Sequence, residues 1–230
     1  MIQNWMPESV STFGGDIDSI IRLIFYIVGV WFVAVEVLIV YFAIRYRRRG
    51  PRQAAYLKGD SWREASWVLI PVAIVLVLDL GLDVAGHAAW ETEKLTLPTA
   101  EYEVGVSAKQ FNWEFVYPGP DGKLGTEDDV TIENELHVPV GKVVRLELSS
   151  KDVLHSFSVP NFRLRQDVVP GRVIRAWFQA DKPGTYEIQC TELCGFGHYT
   201  MHGNVFVQTQ QDYDNWKRDN LKPASAAGAQ

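Results

Sequence analysis

Two long apolar runs stand near the start of the chain. LIFYIVGVWFVAVEVLIVYFAI lies between Arg22 and Arg45 and carries a single charge, Glu36. ASWVLIPVAIVLVL follows Glu64 and continues as DLGLDVAGHAAW, with Asp79 and Asp83 in its last turns. Apolar runs of about 20 residues are long enough to cross a bilayer as helices. Helices buried in a soluble core seldom run so long without a polar face, so a transmembrane pair is expected rather than a buried hairpin. A cleaved signal peptide is not expected, because no basic segment precedes the first run and arginines rather than small residues end it. From about residue 100 the pattern changes to short segments: EYEVGVSAKQFNWEFVY, VTIENELHVPVG, KVVRLELSS, HSFSVP, VIRAWFQA, GTYEIQC and GNVFVQT. They are rich in Val, Ile, Phe and Tyr, many alternate apolar with polar, and Pro, Gly and Asp separate them, as strands and turns do. The fold class this predicts is an α+β membrane protein, in which an N-terminal two-helix transmembrane hairpin precedes a Greek-key β-barrel or sandwich.

Composition alone hides this split, since 47% hydrophobic residues and a mean hydropathy of -0.06 describe an ordinary soluble protein. Charge sets the orientation. Seven of the eight basic residues before residue 91 fall in RYRRRGPRQAAYLKGDSWR, residues 45 to 63, and none precedes Arg22. The positive-inside rule makes that loop cytoplasmic and puts both chain ends on the outer face, periplasmic or intermembrane-space. The expected divisions are an outer-face tail at 1–19, transmembrane helices at 20–44 and 64–88 around the basic loop at 45–63, a β domain at 89–209, and a C-terminal tail at 210–230 whose PASAAGAQ end is expected to be disordered. Residues 91–230 hold 20 acidic and 14 basic residues, which argues against nucleic acid as a partner and for a basic protein. The acidic stretch PGPDGKLGTEDDV lacks EF-hand spacing and reads as a solvated turn rather than a calcium site. His137 and His202 read as ordinary surface histidines.

The candidate chemistry is concentrated in CTELCGFGHYTM, residues 190 to 201, which holds both cysteines of the chain and one of its three methionines. Cys190 and Cys194 offer thiolates, His198 an imidazole, Met201 a thioether and Glu192 a carboxylate or a carbonyl. His155 in DVLHSFSVP adds a second imidazole. Soft sulfur with imidazole suits copper, and the methionine points away from zinc. A mononuclear electron-transfer copper uses two histidines, one cysteine and a weak axial methionine, which leaves one cysteine over. If both sulfurs bridge two copper ions, each ion has two sulfurs, one histidine and one weak axial ligand, and every donor is used. A disulfide between the cysteines would suit an oxidising compartment but leaves His198 and Met201 unexplained. A zinc site of two cysteines and two histidines leaves Met201 unused.

These features resemble subunit II of the cytochrome c oxidase branch of haem–copper oxygen reductases, over nearly the whole chain. The most specific motif is C-x-E-x-C-x-x-x-H-x-x-M, complete in CTELCGFGHYTM; DVLHSFSVP, VVPGRV and KPGTYEIQC follow the family's order and spacing. The resemblance implies a cupredoxin-like domain holding the dinuclear copper centre CuA, with Cys190 and Cys194 bridging, His155 and His198 ligating, and Met201 and the Glu192 carbonyl completing the shells. It further implies a magnesium ion held partly by the Glu192 carboxylate at the interface with subunit I, the partner that carries haem and copper B. Electrons would come from cytochrome c or another small redox donor docked near Phe111, Trp113 and Asp152, and would pass to haem in subunit I for oxygen reduction coupled to proton translocation. Glu64, in the pattern E-x-x-W-x-x-x-P, would mark the mouth of a proton uptake path; its alternative is a glutamate favourable to a helix dipole. The family's Q-W-x-W reads KQFNW here, with Phe111 at the position where the electron arrives. The expected location is a bacterial plasma membrane, beside other oxidase subunits. No C-x-x-C-H occurs, so no haem c is expected on this chain.

Three rivals share parts of the pattern. A quinol oxidase subunit II keeps the fold without the copper ligands, which are intact here. Nitrous-oxide reductase shares the motif but has no membrane helices and a large extra domain. A membrane-tethered copper-delivery protein needs an open, exchangeable site, whereas this donor set saturates two ions. Glu36 and the row Asp79, Asp83 and His87, spaced i, i+4, have no assigned role beyond contact with a partner subunit.

Overall fold

The computed structural model describes residues 6–51, 53 and 56–221. They form two units, residues 16–90 and the remainder.

The first unit holds α1 (Gly14–Arg45) and α2 (Trp62–Trp90), the latter followed by a π-helical turn at Glu91–Leu95. At about 1.5 Å per residue each helix exceeds the ~30 Å of a bilayer's hydrocarbon. Their apolar side chains are not withdrawn from the surroundings: α2 buries no residue, and α1 buries only Gly14. A core helix of a soluble protein would bury a face. Both helices are long and apolar enough to cross a membrane, and neither buries an apolar face. Ser61 and Glu64 close the start of α2. The Glu64 N–H lies 3.4 Å from Ser61 Oγ, and Glu64 Oε2 accepts the Gly59 N–H at 2.7 Å.

The second unit is a β-sandwich of ten strands: β1 (Tyr102–Lys109), β2 (Asn112–Tyr117), β3 (Val130–Glu133), β4 (Glu135–Pro139), β5 (Val143–Ser150), β6 (His155–Val159), β7 (Leu164–Val168), β8 (Ile174–Gln179), β9 (Gly184–Cys190) and β10 (His202–Gln208). One sheet runs β3-β2-β1-β5-β8 and the other β4-β10-β9-β6-β7. The alternation read from the sequence places the core: Val104, Val106 and Ala108 of β1, Val144, Leu146 and Leu148 of β5, and Val205 and Val207 of β10 all face inward. Trp113, Phe115, Phe157, Phe162 and Phe178 fill the space between the sheets. The acidic turn between β2 and β3 is held by its own bonds, Thr126 Oγ1 to Asp128 at 2.6 Å and the Gly125 N–H to Asp129 at 2.7 Å.

Three segments differ from the sequence expectation. The segment before α1, expected as an outer-face tail, pairs with the sandwich. Val10 donates its N–H to the Asn161 carbonyl at 2.8 Å, and its own carbonyl accepts from Asp181 at 3.0 Å. Ser11 bridges to Ala180, and Phe13 sets its ring edge-on to Trp177 at 5.2 Å. Residues 210–220, expected as tail, form α3 (Gln210–Asn220), capped by Thr209, which accepts the Asp212 N–H at 3.2 Å. Residues 222–230, with PASAAGAQ, lie outside the described residues.

The third correction is His137, which is buried, not on the surface. α3 covers the outer face of β4, and the His137 ring is stacked between Trp216 at 4.1 Å and Phe206 at 4.5 Å. Burial holds its pKa below the usual 6.5, against the opposing contacts of Glu135 and Gln208. A histidine with a depressed folded pKa binds its proton more readily when unfolded. Its contribution is complete above pH 6.5 and is lost as the pH falls toward the folded value. Unfolding by denaturant at pH 7 and at pH 5 should therefore show a loss of stability at the lower pH that a His137→Phe variant lacks.

Candidate metal centre

β6 and β9 pair antiparallel, with Phe157 opposite Cys190, and this places the first residue of β6, His155, beside the last of β9. The loop 191–201 then leaves β9, makes a single 3-10 turn at His198–Thr200 and returns as β10. Its base is closed by the Cys190 N–H to the Met201 carbonyl at 3.2 Å and the Thr191 N–H to the Ser156 carbonyl at 3.0 Å.

All the sequence-predicted donors meet here. Cys190 Sγ lies 3.9 Å from Cys194 Sγ, 3.9 Å from His155 Nδ1 and 3.3 Å from the Glu192 carbonyl. Cys194 Sγ lies 3.6 Å from His198 Nδ1 and 3.9 Å from Met201 Sδ. A sulfur–sulfur separation near twice the length of a disulfide bond leaves both thiols free. His155 is fully buried, Met201 nearly so, and both cysteines are buried. Burial, then the neighbouring Cys190, pushes the Cys194 thiol up to about 12, so in the metal-free chain its sulfur keeps its proton. A metal ion must displace that proton to bind the thiolate.

The surroundings orient the donors. Asp152 Oδ1 accepts from His155 Nε2 at 2.9 Å, which fixes the tautomer that leaves Nδ1 free to face the sulfurs. Partial burial alone would raise the Asp152 pKa. Its bonds to His155 and to the Gln110 and Val153 amides outweigh that and hold it below the usual carboxylate range. Trp113, placed in the docking area by the resemblance, is instead fully buried and edge-on to His155 at 6.1 Å and to Phe157 at 5.3 Å. It walls the site from beneath. Phe111 is half-buried against the loop, and the surface beside the donors is formed by Leu193, Phe196 and Tyr199, with Phe196 95% exposed. The Glu192 carboxylate stands 3.8 Å from Arg165. Glu64 belongs to the other unit and lies at the start of α2.

The donor set fits copper: two thiolates close enough to share ions, two imidazoles presented through the same nitrogen, a thioether and a carbonyl. Zinc has no use for the thioether.

Comparisons with known proteins follow this geometry. Residues 102–208 match the family model for the periplasmic domain of cytochrome c oxidase subunit II. An alternative cytochrome c oxidase subunit 2 of Bradyrhizobium diazoefficiens is 34% identical over 246 residues, covering 97% of this chain and 87% of that protein. The chain belongs to the cytochrome c oxidase subunit II family. A subunit 2 of Thermostichus vulcanus is likewise 34% identical over 271 residues, covering 96% of this chain and 80% of that one. The crystal structure of the periplasmic domain of subunit II of cytochrome oxidase from Bradyrhizobium japonicum, 28% identical, covers 54% of this chain and 96% of its own, with a TM-score of 0.49. Membership makes the chain one subunit of a haem–copper oxidase, a membrane oxidoreductase of respiratory electron transport, with other oxidase subunits as partners and copper as the metal its family binds.

Proposed function

We propose that this chain is the electron relay of its oxidase. It takes single electrons from cytochrome c or another small redox donor at a dinuclear copper centre, CuA, and passes them to haem in subunit I, where oxygen is reduced to water and protons are translocated. The observation that carries this reading is the pair of buried thiols 3.9 Å apart, each within 3.9 Å of its own histidine Nδ1. Cys190 and Cys194 would bridge, His155 and His198 would ligate, and Met201 and the Glu192 carbonyl would supply the weak positions. The copper pair, when bound, supplies one-electron chemistry with little change in bonding. The protein's part is to keep that change small: Asp152 holds His155, Trp113 and Phe157 wall the site, and the sheet registers fix both ends of the loop. Such burial favours a relay over a delivery protein, whose ligands must be open to exchange. The Glu192 carboxylate would give one oxygen to a magnesium ion at the subunit I interface, the remaining ligands coming from the partner and water.

The basic loop between the helices and the docking of residues 7–13 on the sandwich support a shared outer face for the N-terminus and the β domain. The acidic outer domain then steers a basic donor. Stopped-flow mixing of the copper-loaded, detergent-solubilised chain with reduced cytochrome c tests the relay. One electron per copper pair should transfer at a rate falling at least about tenfold between low and high salt. A centre that accepts no electron, or that loses copper to the donor solution, would refute it.

Glu64 is proposed as the mouth of a proton uptake path, and its capping bond offers a way to test this. Glutamine can still accept the Gly59 N–H but cannot carry a proton. If the path is real, Glu64→Gln and Glu64→Ala both lower oxidase turnover by about tenfold or more. If the role is only capping, Glu64→Gln retains wild-type turnover.

A further inference from the structure

The loop that carries Cys194 and His198 is tied to the rest of the sandwich at a few points. Leu193, Phe196 and Tyr199 are exposed, and the bonds from His198 to Gly195 and from Thr200 to Gly197 stay within the loop. Arg165 of β7 stands 3.8 Å from the Glu192 carboxylate and His202 of β10 lies 2.7 Å from the Tyr199 carbonyl, at the two ends of the loop; the segment between them is met by the two-residue connection between β1 and β2. Gln110 Nε2 donates to the Cys194 carbonyl at 2.6 Å. The Gln110 N–H donates to Asp152 Oδ2 at 2.7 Å, and the other oxygen of that carboxylate holds His155. One residue thus reaches a bridging cysteine on one side of the donor set and, through one carboxylate, a histidine on the other.

Phe111 completes the contact. A Cβ on Gly197 would lie 2.5 Å from Phe111 Cδ2 and 2.8 Å from Cε2. A Cβ on Gly195 would lie 2.6 Å from Gln110 Nε2 and 3.2 Å from the Phe111 ring, and Gly195 has a φ of +138°, which other residues rarely adopt. The backbone between Cys194 and His198 therefore lies against the ring, and both glycines are needed for that approach. Phe111 offers no metal donor, and Gln110 turns its amide nitrogen to the Cys194 carbonyl. We propose that Gln110 and Phe111 are positioning residues that hold the copper loop in its ligating conformation before metal arrives, with Gly195 and Gly197 as the matching surface. This rests on the loop being the copper-binding element. The role differs from docking: Phe111 turns its ring to the loop, and its effect reaches the metal through Cys194 and His198.

The test is a double-variant cycle in the full-length chain in detergent, comparing Gly197→Ala, Phe111→Ala and the two combined. The first readout is the reaction rate of Cys190 and Cys194 with a thiol reagent in the metal-free protein, which reports local opening. The second is the copper EPR pattern and reduction potential after loading. Gly197→Ala should raise thiol reactivity at least about tenfold, the consequence of forcing a methyl into occupied space. It should also distort the copper spectrum. In the Phe111→Ala background the same methyl has room and should add less than about twofold. Phe111→Tyr, which keeps the ring, should match the wild type. If Gly197→Ala does not accumulate, Gln110→Ala, at an exposed position away from the core, should by itself raise thiol reactivity and shift the potential. Additive effects in the cycle, or thiol reactivity within about twofold of wild type in every variant, would overturn the proposal. A wild-type chain that binds no copper would instead sink the relay reading, and the thiol arm would still decide on positioning.

Discussion

Cys194→Ser should turn the proposed dinuclear centre into one that binds a single copper ion. Removing one sulfur leaves His155, His198, Cys190 and Met201 in the same cluster, and two imidazoles, one thiolate and one thioether are the donor set of a mononuclear electron-transfer copper. The serine hydroxyl offers no soft donor in its place. The base of the loop should survive, because its bonds run through the main chain at Cys190, Thr191, Met201 and Ser156 rather than through the lost thiol. Metal analysis of the purified variant should give half the copper of the wild type, and its spectrum should show an electron confined to one nucleus. Copper content unchanged from wild type would mean that Cys194 does not bridge.

Loss of the segment before α1 should cost the sandwich most of its margin of stability. Val10 is fully buried and Phe13 is 4% exposed, although both stand far in sequence from the strands they touch. Truncating a buried phenylalanine to alanine costs about 3–5 kcal/mol and a valine somewhat less, against a total of roughly 5–15 kcal/mol for a domain. Val10→Ala/Phe13→Ala should lower the unfolding midpoint of the full-length chain by about 15 °C. A shift below about 3 °C would show that the segment is dispensable. A fragment beginning at residue 91 lacks this contact altogether, so copper-site measurements belong on the full-length chain.

The sequence carried the architecture well where one element determines its own pattern. Two runs of apolar residues defined the helices, and strict alternation in β1 and β5 marked which residues enter the core. The donor set was equally legible, because four side-chain donors sit within twelve residues and only His155 had to be brought from elsewhere. What could not be read depends on surfaces supplied by distant segments. His137 looks half-exposed in ELHVPV until α3 covers the outer face of β4 and buries both sides of the strand. Trp113 alternates like its neighbours, and nothing local says that it lies under His155 rather than on the surface. Residues 7–13 are too short to show a period. The helix capped by Thr209, whose side chain accepts the Asp212 N–H, lies in a stretch expected as tail. Gln110 stands eighty-four residues before Cys194, so its reach to that carbonyl emerges only once β2 folds back on β1.

The most direct measurement is the EPR spectrum of the full-length, copper-loaded chain together with its copper-to-protein ratio. Two copper ions per chain, with hyperfine structure from one unpaired electron shared equally by both nuclei, is the predicted result. One copper per chain with single-nucleus structure, or a copper-free protein whose Cys190 and Cys194 are disulfide-linked when freshly isolated from its membrane, would contradict it.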